Sequence, residues 1–152
     1  MDITTDMVKE LREKTGAGIM NCRRALEKAA GDLKKAEEIL KAEGIEKAEK
    51  KADRETGSGA VFEYIHGGGK VGVLLEIACE TDFVAKTDSF QKLGHEVAMQ
   101  ISAMNPADVA ELLAQAYIRD SKMTIEALVK SAIAGLGENI VVRRFARFEL
   151  GA

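Results

Sequence analysis

The sequence predicts an α+β fold: a small three-helix bundle, then a three-stranded antiparallel sheet packed with helices. Three patterns carry that prediction. Residues 1–42 hold apolar positions at helical spacing, punctuated by glycines. Residues 60–79 hold two strand-like runs around Gly67-Gly68-Gly69, the composition of a hairpin. Residues 139–150 return to a β pattern after a mostly helical stretch.

The first helix begins after Thr4 or Thr5, whose hydroxyl can accept from a free backbone N–H. Met7, Val8 and Leu11 mark its inner face, and Gly16 is placed to end it in a left-handed cap. The second helix runs from about Gly18 to Ala30, with Ile19, Cys22, Leu26 and Ala29 on one side and Gly31 as its stop. Asp32 caps the third, whose inward residues are Leu33, Ala36, Ile39 and Leu40. A bundle this small buries little apolar surface and is marginal alone. Residues 43–56 are charged almost throughout, and Glu43–Lys47 and Glu46–Lys50 sit at i,i+4 in the favourable orientation. They read as a solvated helical linker. The chain therefore divides into a bundle over 1–42, a linker over 43–56 and an α+β unit over 57–152.

That unit opens with a strand over Ala60 to His66, the glycine turn, and a strongly apolar strand over Val71 to Cys79. A long helix from about Asp88 to Met104 follows, with Phe90, Leu93, Val97 and Ile101 as its inner stripe. Asn105-Pro106 breaks it. A short helix over Val109 to Ala116 and another over Thr124 to Leu136, capped by Thr124 and stopped by Gly137, come next. The last strand, Asn139 to Leu150, alternates. Ile140, Val142, Ala146, Phe148 and Leu150 share one face, interrupted by Arg144. Val141, Arg143, Phe145, Arg147 and Glu149 share the other.

The 46% hydrophobic content of 152 residues supports a real core, and 31% charged residues a soluble surface. A net charge of −3 argues against a general nucleic-acid binder. Cys22 and Cys79 lie far apart with no metal-ligand spacing, so free thiols in a reduced compartment are expected. No apolar run nears the ~20 residues that span a membrane. A cytoplasmic protein is expected.

Few constellations carry chemistry. Gly67-Gly68-Gly69-Lys70 lacks the spacing of a phosphate loop, and a strand rather than a helix follows it. Glu80 and Asp82 have no nucleophile near them in sequence. His66 and His95 make neither a triad nor a metal site; His66 reads as a surface residue or a partner contact. Arg143 to Phe148 interleaves cations with aromatics, which leaves a single-stranded RNA surface on strand 140–148 as an alternative. The corner Thr81-Asp82-Phe83 stands out. A Phe beside an acid, where a strand gives way to a helix, either plugs the junction or meets another molecule.

Taken together, these motifs resemble a known family. Val8 to Leu26, around Leu11-Arg12-Glu13-Lys14-Thr15-Gly16-Ala17-Gly18-Ile19-Met20, resembles the N-terminal signature of translation elongation factor Ts. Cys79-Glu80-Thr81-Asp82-Phe83-Val84-Ala85 resembles its second signature, and Gly137-Glu138-Asn139-Ile140 with Arg143-Arg144 a third. The resemblance implies nucleotide exchange on the GTPase elongation factor Tu in its GDP form, with no catalytic residue, metal or cofactor of its own. Asp82 and Phe83 would insert between helices of the partner's nucleotide domain, with Thr81 shaping the corner. The N-terminal helices would form a ubiquitin-associated-like bundle that docks through Arg12, Ile19, Met20 and Arg23, although Ile19 also suits bundle packing. Longer members carry two core halves, one with the Thr-Asp-Phe corner and one with a His-Gly turn. Here His66-Gly67 and Asp82-Phe83 belong to the same half. Short members imply a homodimer, joined through the sheet region, in which two copies supply the two contacts.

Overall fold

The computed structural model describes residues 2–152. Three helices lead: α1 (Thr5–Thr15), α2 (Ile19–Lys28) and α3 (Leu33–Lys50). The hairpin β1 (Ser58–His66) and β2 (Val71–Cys79) follows. Then come α4 (Asp82–Ala85), α5 (Asp88–Met104), α6 (Val109–Ala114), β3 (Ala116–Tyr117), β4 (Asp120–Thr124), α7 (Ile125–Leu136) and β5 (Ile140–Glu149). The mixed α+β class is as expected, with a three-stranded antiparallel sheet in the order β1-β2-β5.

Local chemistry sets the helix ends. The Thr4 hydroxyl accepts from the Met7 N–H and the Asp32 carboxylate from Lys34 and Lys35, so α1 and α3 start where they do. Gly16 takes φ 69° and closes α1 on the Arg12 carbonyl. Val8, Leu11, Cys22, Ala25, Leu26, Ala29 and Ala36 form the bundle core. Ile19 does not join them. It is 56% exposed at the first position of α2, whose buried residues are Cys22, Ala25 and Leu26. The charged stretch after residue 42 is not a separate element. Its residues 43–50 are the second half of α3, where Ala48 is buried in the larger core and Lys130 of α7 pairs with Glu49 at 3.6 Å, and residues 51–56 connect α3 to β1.

Helix α5 covers one face of the sheet. Phe90, Leu93, Val97 and Ile101 are buried there, as their spacing predicts. Phe90 meets Phe62 of β1 at 5.7 Å between ring centroids, and Gly94 leaves room for the Phe62 ring where any Cβ would collide. Among the described residues, the opposite face is exposed at Val61, Ile65, Leu74 and Phe148, whereas Ala78 at its Cys79 end is buried.

Strand β5 departs from the expected alternation. Its register on β2 shifts between Glu76 and Ile77: Glu76 faces Arg144 while Ile77 faces Val142. Arg143 is the extra residue of a bulge, so the faces exchange there. Ile140 and Val142 point into the core, and after the bulge it is Phe145 and Arg147 that turn inward. Ala146 and Phe148 stand on the opposite face.

The β3–β4 pair was not foreseen from the pattern. It is held by two polar residues of α5. Buried Gln100 donates to the Ala116 carbonyl and accepts from the Ile118 N–H, both at 3.0 Å. Glu96 accepts from the Tyr117 hydroxyl at 2.7 Å and from Arg119 at 2.6 Å. Burial raises the Glu96 carboxyl, but the Tyr117 and Arg119 hydrogen bonds outweigh it and hold the group below its ordinary value. The same burial and the same carboxylate push Tyr117 up to about 12. Among the described residues no helix is long and apolar enough to cross a membrane.

Candidate partner-binding site

The corner after β2 is built by a cap. Thr81 sits in extended backbone, and its hydroxyl accepts from the Val84 N–H, which starts the single turn α4. Val84 and Ala85 are buried and fill the strand–helix junction. Phe83 therefore has no junction left to plug. It is 82% exposed, the most exposed of the chain's large apolar side chains among the described residues. Asp82 beside it is also exposed.

The corner rests on chain ends brought from elsewhere. The last β2–β5 pair is Cys79 with Ile140. Beyond it, each strand bonds the other through a carboxylate. Glu138 accepts from the Thr81 N–H at 3.0 Å and from the Thr81 hydroxyl at 2.7 Å. Glu80 accepts from the Asn139 N–H at 2.8 Å and pairs with Arg54 at 3.5 Å. Buried Asn139 donates to the carbonyls of Ala52 and Arg54. The Cys79 thiol donates to the Thr81 carbonyl. Burial, then the charge of Glu138, pushes that thiol above its ordinary value, so it stays protonated as a donor. No local pattern ties Glu138, Asn139 or Glu80 to the shape of this corner. Their partners lie far away in sequence: Thr81 is 57 residues from Glu138, and Glu80 is 59 from Asn139.

The other expected contacts fall in two further places. Arg12, Ile19, Met20 and Arg23 are all exposed and flank the α1–α2 loop, with Met20 at 62%. Arg23 is paired along its own helix with Glu27 at 3.2 Å. His66 is exposed beside the glycine turn, at the other end of β2 from Phe83. Its Nδ1 is bonded to the Tyr64 hydroxyl at 3.0 Å, and the two rings stack at 5.9 Å. The structure thus joins Thr81, Asp82 and Phe83 in one corner and keeps His66 apart from them.

The arginines of β5 are largely engaged within the chain. Arg143 donates to the Thr56 hydroxyl at 2.7 Å, Arg147 to the Ser102 carbonyl at 3.1 Å, and Arg144 lies 3.4 Å from Glu76. Among the described residues no group of three or more His, Cys, Asp or Glu side chains could hold a metal ion.

Known proteins resemble this chain in sequence. The sequence profile of the family described as Elongation factor TS matches residues 80–152. Elongation factor Ts of Coprothermobacter proteolyticus is 43% identical over 196 aligned positions, which cover 99% of this chain and 100% of that protein. Those of Nitratidesulfovibrio vulgaris and Synechocystis sp. are each 44% identical, covering 100% and 99% of this chain and 98% and 90% of their own lengths. The alignments run well beyond the 152 residues here, so these relatives carry positions with no counterpart in this chain. At that identity across almost its whole length, the chain belongs to the elongation factor Ts family of translation elongation factors.

Proposed function

We propose that this chain promotes GDP release from elongation factor Tu in the cytoplasm, using the Asp82-Phe83 corner as its lever. One observation carries the proposal: Phe83 stands 82% exposed on a corner whose junction is already filled. Leaving a large aromatic ring in water forfeits about 2 kcal/mol of burial. A partner groove that accepts the ring recovers that energy. An exchange factor works by binding the nucleotide-free state of its partner better than the GDP state. A stiff ring that fits only after the partner's helices have moved supplies that difference. Arg12, Ile19, Met20 and Arg23 form a second contact on the bundle.

The working unit is a homodimer. His66 and Phe83 lie at opposite ends of a nine-residue strand, which spans about 30 Å at ~3.3 Å per residue. One chain therefore does not bring both to a single spot, whereas the corner of one subunit and His66 of the partner subunit can meet on one GTPase. The sheet face turned away from α5 also favours this reading, since Val61, Ile65, Leu74 and Phe148 are 53–74% exposed there. Phe145, turned to the helix-covered side, is outside that surface.

Stopped-flow release of labelled GDP from elongation factor Tu tests the lever. Wild type is expected to accelerate release at substoichiometric concentration, and Phe83→Ala to be weaker while unfolding as cooperatively as wild type. Unchanged acceleration by Phe83→Ala refutes the lever. A monomer by light scattering at micromolar concentration refutes the dimer.

A further inference from the structure

We infer that Glu138 is a positioning residue for exchange: its carboxylate fixes the corner from which Asp82 and Phe83 project. This rests on the lever proposed above and adds the group that makes the lever stiff. Where β2 and β5 part after Cys79 and Ile140, the backbone ladder can no longer hold the chain. Glu138 takes over. One of its oxygens accepts the Thr81 N–H and the other the Thr81 hydroxyl proton, at 3.0 and 2.7 Å. The second bond matters most. The Thr81 hydroxyl must present a lone pair to the Val84 N–H, and donating its proton to Glu138 leaves it oriented to do so. One carboxylate thus sets both the backbone of the corner and the cap that starts α4.

The reverse bond, from the Asn139 N–H to Glu80, makes the attachment reciprocal. Two bonds to an ionised acceptor resist rotation better than one and are stronger than neutral ones. Through Arg54 and Asn139 the same cluster holds the segment leading from α3. The corner and the end of the N-terminal helices are therefore referenced to one point.

The test uses the full chain in the GDP-release assay with Glu138→Ala, Glu138→Gln, Phe83→Ala and the double variant Phe83→Ala/Glu138→Ala. Glu138→Ala is expected to lower the maximal release rate by about tenfold, the scale of a misplaced contact group. Glu138→Gln keeps the reach but has one acceptor oxygen in place of two, so it holds either the Thr81 N–H or the Thr81 hydroxyl proton and is expected to recover only part of that rate. In the Phe83→Ala background, Glu138→Ala is expected to cost much less than it does alone, because it acts through the corner and only Asp82 is left there to misplace. The Thr81 amide should lose hydrogen-exchange protection in Glu138→Ala while the β1–β2 amides keep theirs. The inference is overturned if Glu138→Ala releases GDP at the wild-type maximal rate. It is equally overturned if its loss adds in full to that of Phe83→Ala, since a merely structural role would do that. Should Glu138→Ala not fold, Glu138→Asp keeps the charge and shortens the reach, and the same criteria apply to it. An unimpaired Phe83→Ala refutes the lever itself and is told apart by that single variant.

Discussion

The two ends of β2 are held in opposite ways. At its end by Cys79, the neighbouring backbone is fastened by groups from three distant segments: Glu138, Asn139 and the stretch around Arg54. At its start by Val71, the chain turns through Gly67, Gly68 and Gly69, all at positive φ. Little else holds that turn beyond Lys70 bonding the His66 carbonyl and Leu150 bonding the Lys70 carbonyl. The first end owes its shape to tertiary bonds, the second to the freedom of glycine. Both ends carry residues proposed to meet elongation factor Tu. A lever that displaces helices needs a stiff base, and the corner has one. A turn that only touches a partner can adapt on contact.

The difference can be broken by substitution. The largest effect is expected for Gly59→Ala, on β1 opposite Ala78 at the fastened end. Gly59 has φ 141°, and a Cβ there runs into the Ile77 carbonyl and the Ala78 backbone. Neither can yield without opening the ladder, so a loss of about 3 kcal/mol or more is expected by urea unfolding. Asn139→Ala comes next. It removes the donor to the Ala52 and Arg54 carbonyls from a site 3% exposed, for about 2 kcal/mol. Trypsin should then cut faster at Lys51 and Arg54. Unchanged cleavage there would mean that Asn139 does not fasten this segment.

How much of this could be read in the sequence follows from the same contrast. The caps at Thr4, Asp32 and Thr124, the stops at Gly16 and Gly137, and the glycine hairpin were legible because each is decided within a few residues. The stripe of α5 was legible by its period. The exchange of faces in β5 was not, because the bulge at Arg143 is set by Glu76 and Ile77 on the facing strand. Nor was the β3–β4 pair, whose hydrogen bonds come from Glu96 and Gln100 on α5. The corner was half legible. Its residues stood out, but whether Phe83 faced inward depended on Val84 and Ala85 filling the junction first. The grip of Glu138 on Thr81 spans 57 residues and left no local trace.

At the glycine end the expected costs are smaller. Gly68→Ala meets open space, so only the left-handed backbone at φ 68° opposes it, for about 1 kcal/mol. If Gly68→Ala costs as much as Gly59→Ala, the two ends do not differ as described.

The smallest effect concerns pH and sharpens the contrast further. The folded Cys79 thiol is raised above its ordinary value of 9.0 by burial and by the charge of Glu138. A group whose folded value is raised stabilises the fold fully below its unfolded value. That contribution is lost as pH rises past about 9 and through the folded value. Deprotonation also removes the donor to the Thr81 carbonyl and sets a thiolate near Glu138. Urea midpoints of wild type should therefore fall between pH 8 and pH 10 more steeply than those of Cys79→Ala. Lysines and tyrosines titrate alike in both proteins, so the difference in slope isolates the thiol. Gly68→Ala should keep the wild-type slope, because the glycine turn has no part in this titration. Equal slopes for wild type and Cys79→Ala would remove the thiol from the fastening of the corner and leave the carboxylates to hold it.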